Sequence, residues 1–290
     1  MSLMGFAGKE SIVKDEHSSE QFESVNDNNA PDKSRTLLTD IVMGVRFYSQ
    51  LPISAIEHKA PVLSHMAPAL PFVGLIIGIG PALALVACSY AGMPPLFAAT
   101  LAVAFWAFVT GAMAEDAIAD AADGLFGGKT VAQRLKILKD SRHGTYGVTS
   151  LVLYVALRIF ALGSIVATSP LAAACLWLAA TVLSRSGALW LTLKLPPARQ
   201  DGASASSGRV SLSAFSAGLA FAIILSFVLA APFAGIASLL AAIIFMCAIT
   251  LGWTRLCLRM AGGQTGDLIG ALQVLLEIAA LSVFIINVGP

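Results

Sequence analysis

Charge is what this sequence has least of. Asp, Glu, Lys and Arg make up 12% of its 290 residues, where a soluble domain carries about 25%. The 18 cations and 17 anions nearly cancel, to a formal +1, so no net field recommends nucleic acid as a partner. Cysteine is scarce as well. Cys88, Cys175, Cys247 and Cys257 each stand alone in an apolar run, with no CxxC and no Cys/His spacing. A disulfide framework and a thiolate zinc site are therefore not expected, and the four read as small core residues. No internal repeat is visible, which withholds support from inverted-repeat transport folds. Residues 1–36 lack the basic-then-apolar pattern of a secretory leader. They are polar and mixed in charge, and read as a disordered cytoplasmic tail.

Apolar residues are what remain: 57% of the chain, with a mean hydropathy of +0.81. From Leu70 onward, long apolar runs alternate with short breaks. Seven candidate spans follow, at 70–92, 95–113, 148–168, 171–193, 211–231, 235–254 and 267–288. Each approaches the ~20 residues that cross ~30 Å of hydrocarbon. Backbone groups in lipid must bond within their own segment, and Leu, Ala and Ile dominate, so helices are expected. The fold class is an all-α, polytopic transmembrane helix bundle of about seven spans, with residues 37–290 as one integral membrane domain in a lipid bilayer. If the N-terminus lies inside, residues 1–69, 114–147, 194–210 and 255–266 are inside as well. All of the 18 Lys and Arg except Arg158 and Arg185 then fall on that side. The positive-inside rule thus places the N-terminus inside and the C-terminus outside. Segment 37–56 precedes the first span. It reads either as an amphipathic helix in the interface or as a packed lead-in.

The chemistry gathers at "AEDAIADAADGLFGG", residues 114–128. Continued as a helix from the second span, Asp116, Asp120 and Asp123 fall at i, i+4 and i+7, within an arc of about 60°. Glu115 sits to one side. Three carboxylates on one stripe do not all stay ionised without compensation. A merely solvated acidic face would carry Lys or Arg at i+4, and none lies between Glu115 and Asp123. A hard divalent cation supplies the compensation, and Mg²⁺ takes oxygen ligands.

Downstream, Gly124, Gly127 and Gly128 are expected to break the helix. Thr130 and Gln133 resemble a capping box that opens a second helix. Lys129, Arg134, Lys136, Lys139 and Arg142 make this segment basic, with Arg134 facing water. Asp140 can fold back onto the acids. "SRHGTYG" offers Ser141, Arg142, Thr145 and Tyr146 as donors on a flexed loop. Acids beside a basic, glycine-rich loop suit a phosphoryl substrate. His143 reads as a surface histidine rather than a ligand, since Mg²⁺ favours oxygen. Within the spans, Arg158 and Glu277 form either a structural pair or the lining of a polar cavity. Arg185 and Arg199 lie near the inner face, where they can meet phosphate.

These residues resemble a known family. "EDAIADAADGLFGG" followed by "LKDSRHGTYG" closely resembles the hallmark of cobalamin synthase, the adenosylcobinamide-GDP ribazoletransferase family. "GGQTGDLIGALQVLLE" at 262–277 is similar to its C-terminal motif, "SRSGALWLTLKLPPARQDG" at 184–202 more weakly to a third, and "FYSQLPI" at 47–53 to its entry segment. The resemblance covers residues 40–290. Ala114 and Ala117 depart from the His and Gly that flank the acidic pair in many members.

The resemblance implies a transferase with logic similar to that of the CDP-alcohol phosphotransferases. Adenosylcobinamide-GDP is the implied donor, α-ribazole or its 5′-phosphate the acceptor, and adenosylcobalamin or its 5′-phosphate the product, with GMP released. It assigns Mg²⁺ to Asp116, Asp120, Asp123 and Asp140, with Asp140 or Asp123 catalytic. Lys129, Lys139, Ser141, Arg142, Thr145, Tyr146, Arg185, Arg199, Thr265 and Asp267 then contact substrate, with Glu115 behind the metal ligands. A homo-oligomer remains open. A CDP-alcohol phosphatidyltransferase is the nearest alternative, but Leu125-Phe126 stand where that family has Ala-Arg. A transporter would set its polar residues nearer the midplane.

Overall fold

The computed structural model describes residues 36–53, 62–140, 142–199 and 208–288. The expected tail up to Arg35 lies outside them, as does Ser141. Helices α1 (Leu37–Tyr48), α2 (Leu63–Met66) and α3 (Leu70–Tyr90) come first. Thr36 caps α1 in a reciprocal box with Thr39. Val45 is buried, and α1 lies against α3, where Gly44 meets the Val73 side chain. The Gln50 N–H donates to the Val109 carbonyl at 2.8 Å. Of segment 37–56, the described part 37–53 packs on the bundle in this way and leaves Leu37, Leu38 and Phe47 exposed, while 54–56 lie outside the described residues.

Helices α4 (Pro95–Thr110) and α5 (Met113–Gly127) follow, bent 86° from one another. The bend is local. Gly111 and Ala112 are both left-handed, with φ of 63° and 55°. Glycine adopts this conformation freely. For alanine it costs ~1–3 kcal/mol and persists only where surroundings impose it. The acids therefore do not ride on an extension of the second span, as the hydropathy pattern led us to expect. They sit on a separate helix that crosses it almost at a right angle. The i, i+4, i+7 stripe survives because α5 is itself helical throughout. Gly124 and Gly127 lie inside α5 and do not break it. Gly128 alone ends it.

Helices α6 (Val131–Ile137), α7 (Thr145–Thr168), α8 (Pro170–Ala188) and α9 (Trp190–Lys194) continue the chain. Helix α8 is the centre of the bundle, packed on α3, α7 and the last two helices of the chain. It carries Thr181, Ser184, Arg185 and Ser186, all buried. Most of it is buried inside the protein, which is how it tolerates the polar residues that weaken its hydropathy.

Helix α10 (Leu212–Ala261) has 50 residues, about 75 Å if straight. It is not straight. At Gly235 the backbone takes φ 79° and ψ 163°, which a glycine tolerates. Phe215 and Thr250 line the same apolar cavity although 35 residues separate them. The two legs, 212–234 and 236–261, therefore fold back on each other, at the break that hydropathy places between two spans. Helix α11 (Gly266–Val288) closes the bundle against α5, α8 and α10. Among the described residues, five helices are long and apolar enough to cross a membrane. The count is six when α4 and α5 are taken as one bent span.

Candidate metal and phosphate site

The site is organised by Asp123. It is buried, and its two carboxylate oxygens accept from the Gly144 N–H at 2.6 Å and the Gly147 N–H at 2.8 Å. Gly144 is the N-cap of α7, so a carboxylate from α5 caps α7 where the helix dipole is positive. The glycines are required by contact. A Cβ at Gly144 would lie 2.7 Å from Asp123 Oδ1, and one at Gly147 would collide with Asp123 Oδ2. This explains the spacing of "HGTYG" in terms of the carboxylate it must embrace.

Clamping the loop there brings His143 over the same helix face. Its Nδ1 lies 3.6 Å from Asp120 Oδ1 and its Nε2 lies 3.8 Å from Asp116 Oδ1. One ligand atom from each of Asp116, Asp120 and His143 falls within 4.8 Å of the others. Asp123 and Asp140 do not belong to this group. Two crowded carboxylates and an imidazole, half-open to solvent, fit a divalent cation, with hard oxygens as the better Mg²⁺ donors.

The C-terminal motif joins from the other side. The Ala198 N–H donates to the Gln264 carbonyl at 2.8 Å, and the Gln264 N–H to the Pro196 carbonyl at 2.9 Å. This short parallel pairing fastens "LPPAR" beside "GGQTGD". Thr265 is buried, and its hydroxyl accepts from the Leu268 N–H at 3.3 Å, capping α11. Arg199 then reaches Asp267 at 3.7 Å. Gly270 of α11 lies flush against Ala117 of α5. That contact brings Asp267 to a cavity that Asp116 also lines.

Residues 40–285 match the family described as cobalamin-5-phosphate synthase. The chain belongs to that family. It is similar to the adenosylcobinamide-GDP ribazoletransferase of Azorhizobium caulinodans, at 40% identity over 88% of this chain and 98% of the relative. It is similar also to that of Xanthobacter autotrophicus, at 42% over 86% and 95%, and of Brucella ovis, at 35% over 84% and 95%. No solved structure matches.

Other motif residues stand outside this group of acids. Asp140 takes Arg142 in a bidentate pair, with Nη2 to Oδ2 at 2.8 Å and Nε to Oδ1 at 3.0 Å. The Arg142 side chain and then its backbone N–H hold the Asp140 carboxyl down to about 2. A carboxylate so held accepts a proton poorly. Lys129, Lys139, Thr145 and Tyr146 are exposed, and the Tyr146 ring lies 5.9 Å from that of Phe126. Thr130 caps α6 as its sequence suggests, while the Gln133 side chain accepts from Lys129 N–H rather than from the cap itself. Arg134 does not face water. Its Nε donates to the Leu125 carbonyl at 3.1 Å and its Nη1 to the Met260 carbonyl at 3.2 Å.

Glu115 turns away from the metal group. It pairs with Arg158 at 3.4 Å, and Arg158 pairs with Glu277 at 2.8 Å. The Trp177 indole N–H donates to Glu277 at 3.1 Å. The Arg158 guanidinium lies 4.7 Å from the Trp106 ring centroid and 5.1 Å from that of Trp177. Of the two readings open for Arg158 and Glu277, the structural pair is formed. His143 is the residue that sequence reasoning set apart from the acids. The signal that finds it is the pair of glycines just after it, which only a buried acceptor explains.

Proposed function

We propose that this chain transfers the phosphocobinamide group of adenosylcobinamide-GDP to α-ribazole or its 5′-phosphate, with Mg²⁺, and releases GMP. One observation carries the reading: two crowded carboxylates and a histidine on one face, assembled by the family's own glycine motif. Asp116 and Asp120 would hold Mg²⁺, which neutralises phosphate charge when bound. Arg142, Lys129 and Lys139 stand on the basic segment beside it and meet the diphosphate. The acceptor hydroxyl attacks the phosphorus that bears cobinamide. The bond from that phosphorus to the bridging oxygen breaks, and the oxygen leaves on GMP. The hydroxyl proton passes to His143, whose ring nitrogens face Asp120 and Asp116 beyond hydrogen-bond distance.

The acid end faces the cytoplasm of the bacterium in this reading, because the cations gather there. Labelling of a cysteine placed at Lys136 by an impermeant thiol reagent in intact cells would reverse the orientation. The reaction is tested with membranes holding the chain, adenosylcobinamide-GDP, α-ribazole 5′-phosphate and Mg²⁺. GMP should appear only with all components present, and its absence refutes the reading. His143→Ala should slow turnover by about 10²-fold without shifting the Mg²⁺ requirement. A large shift in that requirement instead makes His143 a ligand.

A further inference from the structure

Beside the acids, a cavity of about 250 Å³ opens between α1, α2, α4, α5, α8 and α11. Tyr48 and Trp106 supply aromatic faces, Arg185 and Gln273 supply polar groups, and the cavity reaches Asp116 and Asp267. Arg185 is 4% exposed, and its Nε and Nη1 have no hydrogen-bond partner among the described residues. Its guanidinium lies 4.6 Å from the Tyr48 ring centroid. The Trp106 indole N–H is likewise buried without an acceptor. Arg158, equally buried, has two carboxylates. Among the described residues Arg185 has no carboxylate at ion-pair distance, Glu277 acting on it only from further off, and a buried cation is costly to leave without a close partner. Aromatic walls, unspent donors and a guanidinium with no close anion among the described residues describe a site for a flat ring system carrying an anion.

We propose that this cavity seats the acceptor nucleoside and that Arg185 binds its 5′-phosphate. The inference rests on the proposed reaction. The volume lies below the ~300–1,000 Å³ of common ligand pockets, far short of a corrin macrocycle. The acceptor, a benzimidazole with its ribose, is the smaller and flatter of the two substrates. The base packs against Tyr48 and Trp106, and the ribose lies toward Asp116, where its hydroxyl meets the donor. Arg185 thereby makes the enzyme discriminate between ribazole 5′-phosphate and ribazole.

The test is binding to the purified full chain in detergent, without donor or Mg²⁺, read as thermal stabilisation. α-Ribazole 5′-phosphate should bind the parent at least tenfold more tightly than α-ribazole. Arg185→Gln should erase that difference, and Arg185→Lys should retain part of it. Equal affinity of the parent for the two acceptors overturns the inference, and this arm needs no variant to fold. So does an Arg185→Gln variant that weakens adenosylcobinamide-GDP instead. A parent that binds the phosphate through Arg185 yet releases no GMP supports the cavity and refutes the reaction. Normal GMP release with acceptor affinity indifferent to Arg185 refutes the cavity alone.

Discussion

Glu115 and Asp116 are neighbours in the chain and belong to different worlds. Glu115 faces the bundle interior, 6% exposed, against a guanidinium shared with Glu277 and ringed by indoles. Asp116 faces the open edge, beside Asp120 and His143, with no cation among them. The first cluster sets two carboxylates against one guanidinium and an indole N–H inside the bundle, closed off from solvent. The second sets two carboxylates and an imidazole at the open edge, within reach of a cation from outside. A carboxylate's role here follows from which face of α5 it occupies, a matter of 100° of rotation. The break at Gly111 and Ala112 is what lets one helix serve both. Turned 86° from α4, α5 presents one side to α7 and α11 and the other to solvent.

The largest effect expected from probing this contrast is at the open cluster. Asp120→Asn keeps the shape and removes a charge. GMP release should fall on the order of 10³-fold, since a metal's stabilisation of phosphoryl charge amounts to several kcal/mol. Metal-free stability should match or exceed that of the parent, because one of two crowded acids is neutralised. Added Mg²⁺ should raise the melting temperature of the parent and move the variant's much less. Parent-like turnover at saturating Mg²⁺ would sink the assignment.

The closed cluster should respond in the opposite way. Arg158→Met leaves Glu115 and Glu277 buried without a counter-charge, at a cost of about 3–5 kcal/mol. The loss should appear as stability, in the yield of folded protein and the melting temperature. Adding Glu115→Gln and Glu277→Gln to Arg158→Met should recover much of it, because the stranded charges are gone. A single variant as stable as the parent would mean that the three do not form one unit.

How much of this contrast was legible in the sequence depends on distance along the chain. The helical stripe of Asp116, Asp120 and Asp123 follows from spacing alone, and α5 keeps it. The boundaries of α3, α7 and α11 follow from hydropathy, and the helices agree within a few residues. What hydropathy misses is the turn at Ala112, because no apolar count registers a left-handed alanine. It also cannot divide labour within the stripe. Asp123 is committed to the α7 cap through contacts with residues 21 and 24 positions on, while Asp140 is taken by Arg142 two residues away, in a side-chain geometry that spacing does not specify. The partition of Arg158, Glu115 and Glu277 from the open acids is of the same kind. It needs residues 43 and 162 positions apart in the chain to be brought to one point.

The smallest effect separates two arginines of the same basic segment. Arg134 is half-buried and bonds to the carbonyls of Leu125 and Met260, so it ties α5 to the end of α10. Arg142 is 86% exposed on its side chain and, among the described residues, bonds to Asp140, two residues away. Arg134→Ala unmakes two hydrogen bonds from a charged donor. Solvent rehydrates the carbonyls in part, so the loss should be about 1–2 kcal/mol. That corresponds to a fall of several degrees in melting temperature for a chain of this size, with the donor concentration at half-maximal rate little changed. Arg142→Ala should leave the melting temperature where it is, because an exposed local pair contributes little. It should raise the donor requirement instead, because a guanidinium pre-oriented by Asp140 is set to form paired bonds to phosphate. Thermal melts and donor titrations on the two variants separate the roles. Equal donor requirements for both would put Arg142 outside the site, and a lower melting temperature for Arg142→Ala than for Arg134→Ala would reverse the division.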